Sequence, residues 1–86
     1  MAKVEIYTTA LCGFCYRAKR LLKAKGAAFT EIDVTFSPGK RARLAERAGS
    51  RNVPQIWIGD LHVGGSDELY ELDAEGRLDT LLEKTR

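Results

Sequence analysis

The stretch KVEIYTTALCGFCYRAKRLLKAKGAAFTEIDV, residues 3–34, decides the fold of this chain. Its first part, Lys3–Thr8, alternates polar and apolar residues and is rich in β-formers, which predicts a strand. Over Gly13–Lys25 the apolar residues recur at helical spacing, with Cys15, Ala18, Leu21 and Leu22 on one buried stripe, and Gly26 follows as a helix stop. Ala28–Val34 is again typical of a strand. This order predicts a βαβ unit whose two strands are parallel and joined by a right-handed crossover.

The middle of the chain predicts a second helix and a hairpin. SPGKRARLAERAG, residues 37–49, begins with Ser37 as an N-cap and Pro38 at the first helical position. Strands over Gln55–Ile58 and His62–Val63 flank a Gly-Asp turn dipeptide, which is a hairpin signal.

The last segment, residues 66–86, predicts a helix that is interrupted at Gly76 and a final short helix. Its leucines recur at core-facing positions. The order βαβ, α, ββ, α predicts an α/β protein with a four-stranded mixed sheet and helices on both faces. With 86 residues, we expect one domain spanning residues 1–86.

Composition excludes several classes of function. The chain is 44% hydrophobic and 30% charged, as in an ordinary globular protein, and no apolar run approaches the roughly 20 residues that span a bilayer. A net charge of +2 and basic runs without interleaved aromatics argue against nucleic-acid binding. The amino terminus lacks the continuous apolar segment of a signal peptide, so we expect a cytoplasmic protein.

The only two cysteines, Cys12 and Cys15, lie at the predicted start of the first helix. Residues three apart share a helix face, so their sulfurs are within reach of a disulfide. The free N–H groups of a helix start stabilise a thiolate and can lower a cysteine pKa from about 8.5 to about 3.5–7.5. Cys12 is therefore the expected nucleophile, and Cys15, on the buried stripe, the resolving thiol.

Two structural alternatives for the cysteine pair are weaker. A disulfide closing so small a loop restrains the unfolded chain little, and stable disulfides are rare in the cytoplasm. A structural zinc site needs about four ligands, whereas the cysteines and His62 supply three at most. A C-x-x-C motif beside a βαβ pattern instead favours redox chemistry.

Two further features of the sequence are, on their own, weak evidence for a binding site. Pro54 opens the third strand, where a plain strand-start proline is the ordinary interpretation; if Val53–Pro54 is cis, the Val53 backbone can pair with an extended peptide. In VGGSDEL, Gly64 and Gly65 allow close backbone approach, and a helix starting at Ser66 or Asp67 can hold a carboxylate. The same residues also make a plain glycine turn with a serine cap.

Together, YTTALCGFCYRAK, NVPQIWIG and VGGSDEL resemble the glutaredoxin family, specifically small bacterial dithiol glutaredoxins, over nearly the whole chain. The resemblance implies a thioredoxin-like fold, glutathione-dependent thiol–disulfide oxidoreduction and a cis Pro54. It also implies roles for individual residues: Cys12 as nucleophile, Cys15 as resolving thiol, and glutathione contacts from Phe14, Arg41, Val53, Pro54, Gly65, Ser66 and Asp67. Expected partners are glutathione and disulfide-bearing or glutathionylated proteins, with the chain acting as a monomer.

The sequence departs from the family pattern at two places. Thr9 stands where many relatives carry a lysine, which leaves Arg41 or Arg51 to compensate. Gly13-Phe14 between the cysteines resembles the monothiol branch, which binds iron–sulfur clusters. A second hypothesis is therefore a homodimer that holds a [2Fe–2S] cluster through Cys12 of each subunit and two glutathione thiols. A third is a redoxin reduced by thioredoxin reductase.

Overall fold

The computed structural model describes residues 2–83 of the chain. Every predicted strand and helix is present, with ends that move by one or two residues; residues 84–86 of the predicted final helix lie outside the described part. The elements are β1 (Val4–Thr8), α1 (Gly13–Ala24), β2 (Thr30–Asp33), α2 (Pro38–Ala48), β3 (Gln55–Ile58), β4 (Leu61–Gly64), α3 (Ser66–Ala74) and α4 (Leu78–Glu83).

The four strands form one mixed sheet in the order β2-β1-β3-β4. β1 and β2 are parallel, whereas β3 is antiparallel to both β1 and β4. In the register, Thr8 lies beside Asp33, Tyr7 beside Gln55, and Ile56 beside Gly64. The loops that follow β1, precede β3 and follow β4 therefore meet at one end of the sheet.

Helices cover both faces of this sheet, as predicted. On one face α1, α3 and α4 pack against alternate residues of β1 and β3, including Ile6 and Ile56, which are both fully buried. On the other face Leu44 of α2 packs with Tyr7 and Trp57. Burying a large apolar side chain contributes about 1.5–3 kcal/mol, so these two clusters hold the layers together.

The two longest helices begin as the sequence predicts. The Ser37 hydroxyl accepts a hydrogen bond from the Lys40 backbone N–H at 3.4 Å, with Pro38 at the start of α2. Gly49 ends α2 in the left-handed conformation, with φ 72°. Cys12 is the N-cap of α1.

Among residues 2–83, no helix has the length and apolar character needed to cross a bilayer.

Candidate active site

Cys12 caps the amino terminus of α1. Its backbone is extended, with φ −117° and ψ 104°, and its Sγ accepts a hydrogen bond from the Cys15 backbone N–H at 3.1 Å. The N–H groups of this first turn lack helical partners, and the helix dipole places positive charge there. Both effects stabilise a negatively charged sulfur, so the local structure favours Cys12 as a thiolate.

Cys15 lies one turn further along α1 and faces the core. It is 1% exposed, whereas Cys12 is only half-buried. The predicted buried stripe of Cys15, Ala18, Leu21 and Leu22 is confirmed in full. Access therefore distinguishes the two sulfurs: a large disulfide substrate meets Cys12 first, and Cys15 lies beneath it.

Cys12 and Cys15 are joined by a disulfide, with their Cα atoms 5.2 Å apart. This confirms the expectation that two cysteines three residues apart at the start of a helix can form a disulfide. The pair can thus hold two electrons as a dithiol and release them as a disulfide. Within residues 2–83, no group of three or more His, Cys, Asp or Glu side chains is placed to hold a metal ion.

The loop between β1 and α1, residues 9–12, ends in Cys12, and we call it the cysteine loop. A groove of about 230 Å³ lies next to it, on the side of β3 and β4. We call it the β3–β4 groove. Six of the seven residues expected to contact glutathione line it, although they come from three separate segments of the chain: Phe14, Val53, Pro54, Gly65, Ser66 and Asp67. The Val53–Pro54 peptide bond is cis, as the family resemblance implied.

The start of α3 forms one wall of the β3–β4 groove. The Ser66 hydroxyl is buried and has no hydrogen-bond partner within the described residues. The Gly65 N–H donates to Glu68 Oε1 at 2.7 Å. Gly64 has φ 110°, and a Cβ there would lie 2.9 Å from the same carboxylate oxygen, so the close turn requires glycine. The wall of the groove therefore contains a buried hydroxyl that no described residue satisfies.

Asp67 and Arg41, two charged residues expected at the site, are placed differently. Asp67 lines the groove and faces Arg17 at 3.7 Å, an ion pair whose side chains are 75% and 50% exposed and which is therefore weak. Arg41 does not line the groove; its Nη2 donates to the Arg51 carbonyl oxygen at 3.4 Å.

Sequence reasoning missed three residues that line the β3–β4 groove: Asn52, Gln55 and Glu68. The Gln55 side chain is held by His62, whose Nε2–H donates to Oε1 at 2.8 Å. The His62 ring in turn stacks on Trp57, with centroids 4.5 Å apart. The position of Gln55 directly after Pro54 was the one signal in the sequence that could have indicated a groove residue. Its hydrogen-bond partner, His62, follows only from the register of β3 and β4.

A second cavity, of about 460 Å³, lies on the β2 side of the cysteine loop. We call it the β2 cavity. Both cysteines line it, together with Thr9, Leu11, Tyr16, Lys19, Glu31 and Asp33. Hydrogen bonds from the Thr8 hydroxyl and Lys19 lower the pKa of Glu31, and hydrogen bonds from Thr35 lower the pKa of Asp33. Both carboxyl groups are therefore ionised at neutral pH.

The chain is similar to known glutaredoxins over most of its length. The glutaredoxin family model matches residues 4–63, which include both cysteines and Pro54. A Pseudomonas aeruginosa glutaredoxin is 56% identical over 82 residues, covering 95% of this chain and 98% of the relative. The solution structure of a Brucella melitensis glutaredoxin matches with a TM-score of 0.87 and 51% identity, covering 100% of this chain and 94% of the other. A buckwheat glutaredoxin–glutathione complex matches with a TM-score of 0.86 and 31% identity, covering 96% and 78%. The expected thioredoxin-like fold is confirmed.

Proposed function

Because this chain belongs to the glutaredoxin family of thiol–disulfide oxidoreductases, we propose that it reduces protein disulfides and glutathione mixed disulfides with electrons from glutathione. The Cys12 thiolate attacks one sulfur of the substrate disulfide, the other sulfur leaves as a thiol, and a mixed disulfide forms on Cys12. Either glutathione or Cys15 then attacks this bond and releases the second half of the substrate. Two glutathione molecules return the Cys12–Cys15 disulfide to the dithiol and become glutathione disulfide.

The observation that supports this proposal best is the unpartnered Ser66 hydroxyl in the wall of the β3–β4 groove. Burying a polar group without a partner is unfavourable, and a rotation of the Ser66 side chain toward the groove would let a ligand oxygen satisfy it. Ser66 is also the first residue of α3, whose leading N–H groups favour an anion. A ligand carboxylate therefore fits this wall, and the γ-glutamyl end of glutathione carries one.

Other residues in or near the same groove supply contacts for the rest of the glutathione tripeptide. The Asp67 carboxylate receives the γ-glutamyl amine, for which its weak pairing with Arg17 is little competition. The Val53 backbone pairs with the cysteinyl unit, and the exposed Phe14 ring packs beside the peptide. Arg41 attracts the glycyl carboxylate from outside the groove. The buckwheat relative, which was solved with glutathione, adds support from a similar fold.

Cysteine variants test the proposed reaction. Cys12→Ser should abolish glutathione-dependent turnover of both substrate classes, because it removes the attacking sulfur. Cys15→Ser should retain turnover of a glutathione mixed disulfide but lose most reduction of a protein disulfide, since only the second reaction needs intramolecular release. Both rates are measured with glutathione, glutathione reductase and NADPH consumption. Activity in Cys12→Ser would contradict the assignment of the nucleophile.

The same assay tests the redoxin hypothesis, and the cluster hypothesis needs a separate experiment. Turnover supported by thioredoxin reductase but not by glutathione would favour the redoxin hypothesis. An iron–sulfur cluster needs about four thiolates, and the described residues of one chain contain no three-ligand group. One chain alone therefore does not fit a cluster. The bridged homodimer stays a prediction, tested by anaerobic reconstitution with iron, sulfide and glutathione.

A further inference from the structure

Exposed apolar side chains are concentrated around the cysteine pair. Among residues 2–83, five large apolar side chains are markedly exposed, and three of them, Leu11, Phe14 and Tyr16, directly adjoin Cys12 or Cys15 in the chain. Leu11 is fully exposed at 106%, and Tyr16 is 63% exposed. Both line the β2 cavity together with Cys12 and Cys15. Exposed apolar residues grouped at one place mark a surface that contacts another molecule.

Leu11 is held in its exposed position by the backbone. Its φ is 56°, a left-handed conformation that a branched residue such as leucine rarely adopts. The preceding Ala10 N–H donates to the Thr35 hydroxyl at 2.7 Å, which ties the cysteine loop to the segment after β2. An unfavourable conformation that is held by surrounding contacts and lies beside a reactive group points to a functional role.

The charged side chains of the β2 cavity already have partners within the protein. Lys19 Nζ lies 2.9 Å from Glu31 Oε2. Asp33 Oδ1 accepts from the Thr35 backbone N–H at 2.8 Å. The exposed apolar rim of Leu11 and Tyr16 is therefore the part of the cavity that is left to contact a ligand, and it favours an apolar one.

Disulfide exchange itself identifies the occupant of this cavity. During protein disulfide reduction, one half of the substrate is covalently attached to Cys12 and its polypeptide must lie on the surface around that sulfur. The β3–β4 groove lies on one side of the cysteine loop and the β2 cavity on the other. Cys12 itself lines the β2 cavity.

We propose that the β2 cavity holds the polypeptide of a protein substrate, with Leu11 and Tyr16 contacting an apolar side chain next to the substrate cysteine. The proposal rests on the proposed function in taking Cys12 as the sulfur that attacks protein disulfides and in leaving the β3–β4 groove to glutathione. The Cys12 sulfur bonds to the substrate cysteine while the substrate's second sulfur leaves and takes up a proton. Cys15 then bonds to Cys12, the first substrate sulfur leaves and is protonated, and the protein has given up two electrons.

Single-turnover kinetics test the docking surface without glutathione. The pre-reduced protein is mixed with either of two peptides that contain one internal disulfide and differ only in having leucine or serine beside the first cysteine. We expect a second-order rate constant about tenfold higher for the leucine peptide, as burial of one apolar side chain predicts. Leu11→Asn and Tyr16→Gln should each reduce this preference to about threefold, and the double variant should remove it.

The substitutions are chosen so that folding is preserved. Asparagine tolerates the left-handed conformation at position 11, and glutamine is a good helix former at exposed position 16. Leu61→Asn, on the hairpin, is the matched control and should keep the tenfold preference. Turnover of the small mixed disulfide of glutathione and 2-mercaptoethanol should be unchanged in all variants.

Two outcomes would overturn the proposal. One is equal rates for the two peptides with the unaltered protein. The other is a Leu11→Asn variant that slows both peptides and the small mixed disulfide alike, since this would mean that Leu11 acts on Cys12 itself. Failure of the unaltered protein to use glutathione, with the peptide preference intact, would instead refute the proposed function alone.

Discussion

Replacing Ser66 by alanine should stabilise the ligand-free protein and weaken glutathione binding. The Ser66 side chain is 4% exposed, and its hydroxyl has no hydrogen-bond partner among residues 2–83. An unsatisfied buried polar group costs about 1–3 kcal/mol. We therefore expect Ser66→Ala to raise the free energy of unfolding by about 1 kcal/mol. For a chain of 86 residues, this raises Tm by about 4–8 °C.

Ser66→Ala should stabilise the fold but weaken the binding of glutathione. A hydrogen bond to a charged group contributes about 1.5–3 kcal/mol. The leading N–H groups of α3 stay in place in the variant, so the loss lies at the lower end of this range, which is about tenfold in affinity. KM for a glutathione mixed disulfide should rise about tenfold, whereas kcat should stay constant because Ser66 does not line the cavity that contains both reacting sulfurs. Thermal unfolding and steady-state kinetics measure the two quantities.

Ser37→Ala is the matched control. The Ser37 hydroxyl already accepts a hydrogen bond from the Lys40 N–H, and Ser37 does not line the β3–β4 groove. Its removal should lower the free energy of unfolding by about 0.5–2 kcal/mol and leave KM unchanged. If Ser66→Ala also lowered Tm, or raised it without changing KM, the Ser66 hydroxyl would not be an unused ligand contact and the reasoning about the groove would be wrong.

Two further predictions concern stability. Gly64→Ala should lower the free energy of unfolding in urea by more than 1 kcal/mol, because φ is 110° and the added Cβ would lie 2.9 Å from a carboxylate oxygen; Gly39→Ala, in open space on α2, should instead raise it by about 0.5–1 kcal/mol. Glu31 has a pKa lowered by hydrogen bonds from Thr8 and Lys19, so its stabilising effect is present above the unfolded pKa of about 4.3 and is lost as pH falls through the lower, folded value. Glu31→Gln should therefore have a lower free energy of unfolding than the unaltered protein at pH 7, by no more than about 1 kcal/mol. This difference should disappear at lower pH, and a difference that does not depend on pH would contradict the role given to Glu31.

Local patterns carried most of the fold prediction. The burial of Cys15, Ala18, Leu21 and Leu22 follows from helical periodicity, which needs only neighbouring residues. The N-cap at Ser37 and the left-handed Gly49 are likewise properties of short segments. The parallel pairing of β1 with β2 followed from the βαβ order. These features were predictable because each has a cause within about one turn or one crossover of the chain.

Contacts that depend on strand register were not predictable from such patterns. The hydrogen bond from His62 to Gln55 joins residues on β3 and β4. A register irregularity between Ile56 and Trp57 shifts this pairing, and nothing in the sequence marks it. The exposure of Leu11 was also missed, because composition alone does not distinguish an exposed leucine in a loop from one in the core.

The positions of the β3–β4 groove, the β2 cavity and the two cysteines all follow from the topology of the fold. Parallel pairing places the end of β2 on one side of the cysteine loop, and antiparallel pairing places the start of β3 on the other. The turn that makes Cys12 the N-cap directs Cys15 into the core one turn later. In the proposed reaction, Cys15 lies beneath Cys12, so its attack on the Cys12 sulfur would expel the bound sulfur outward, toward solvent and the two surfaces. Because the Cys15 sulfur is covered where a large substrate disulfide must approach, we expect that Cys15 does not substitute for Cys12 in the first step.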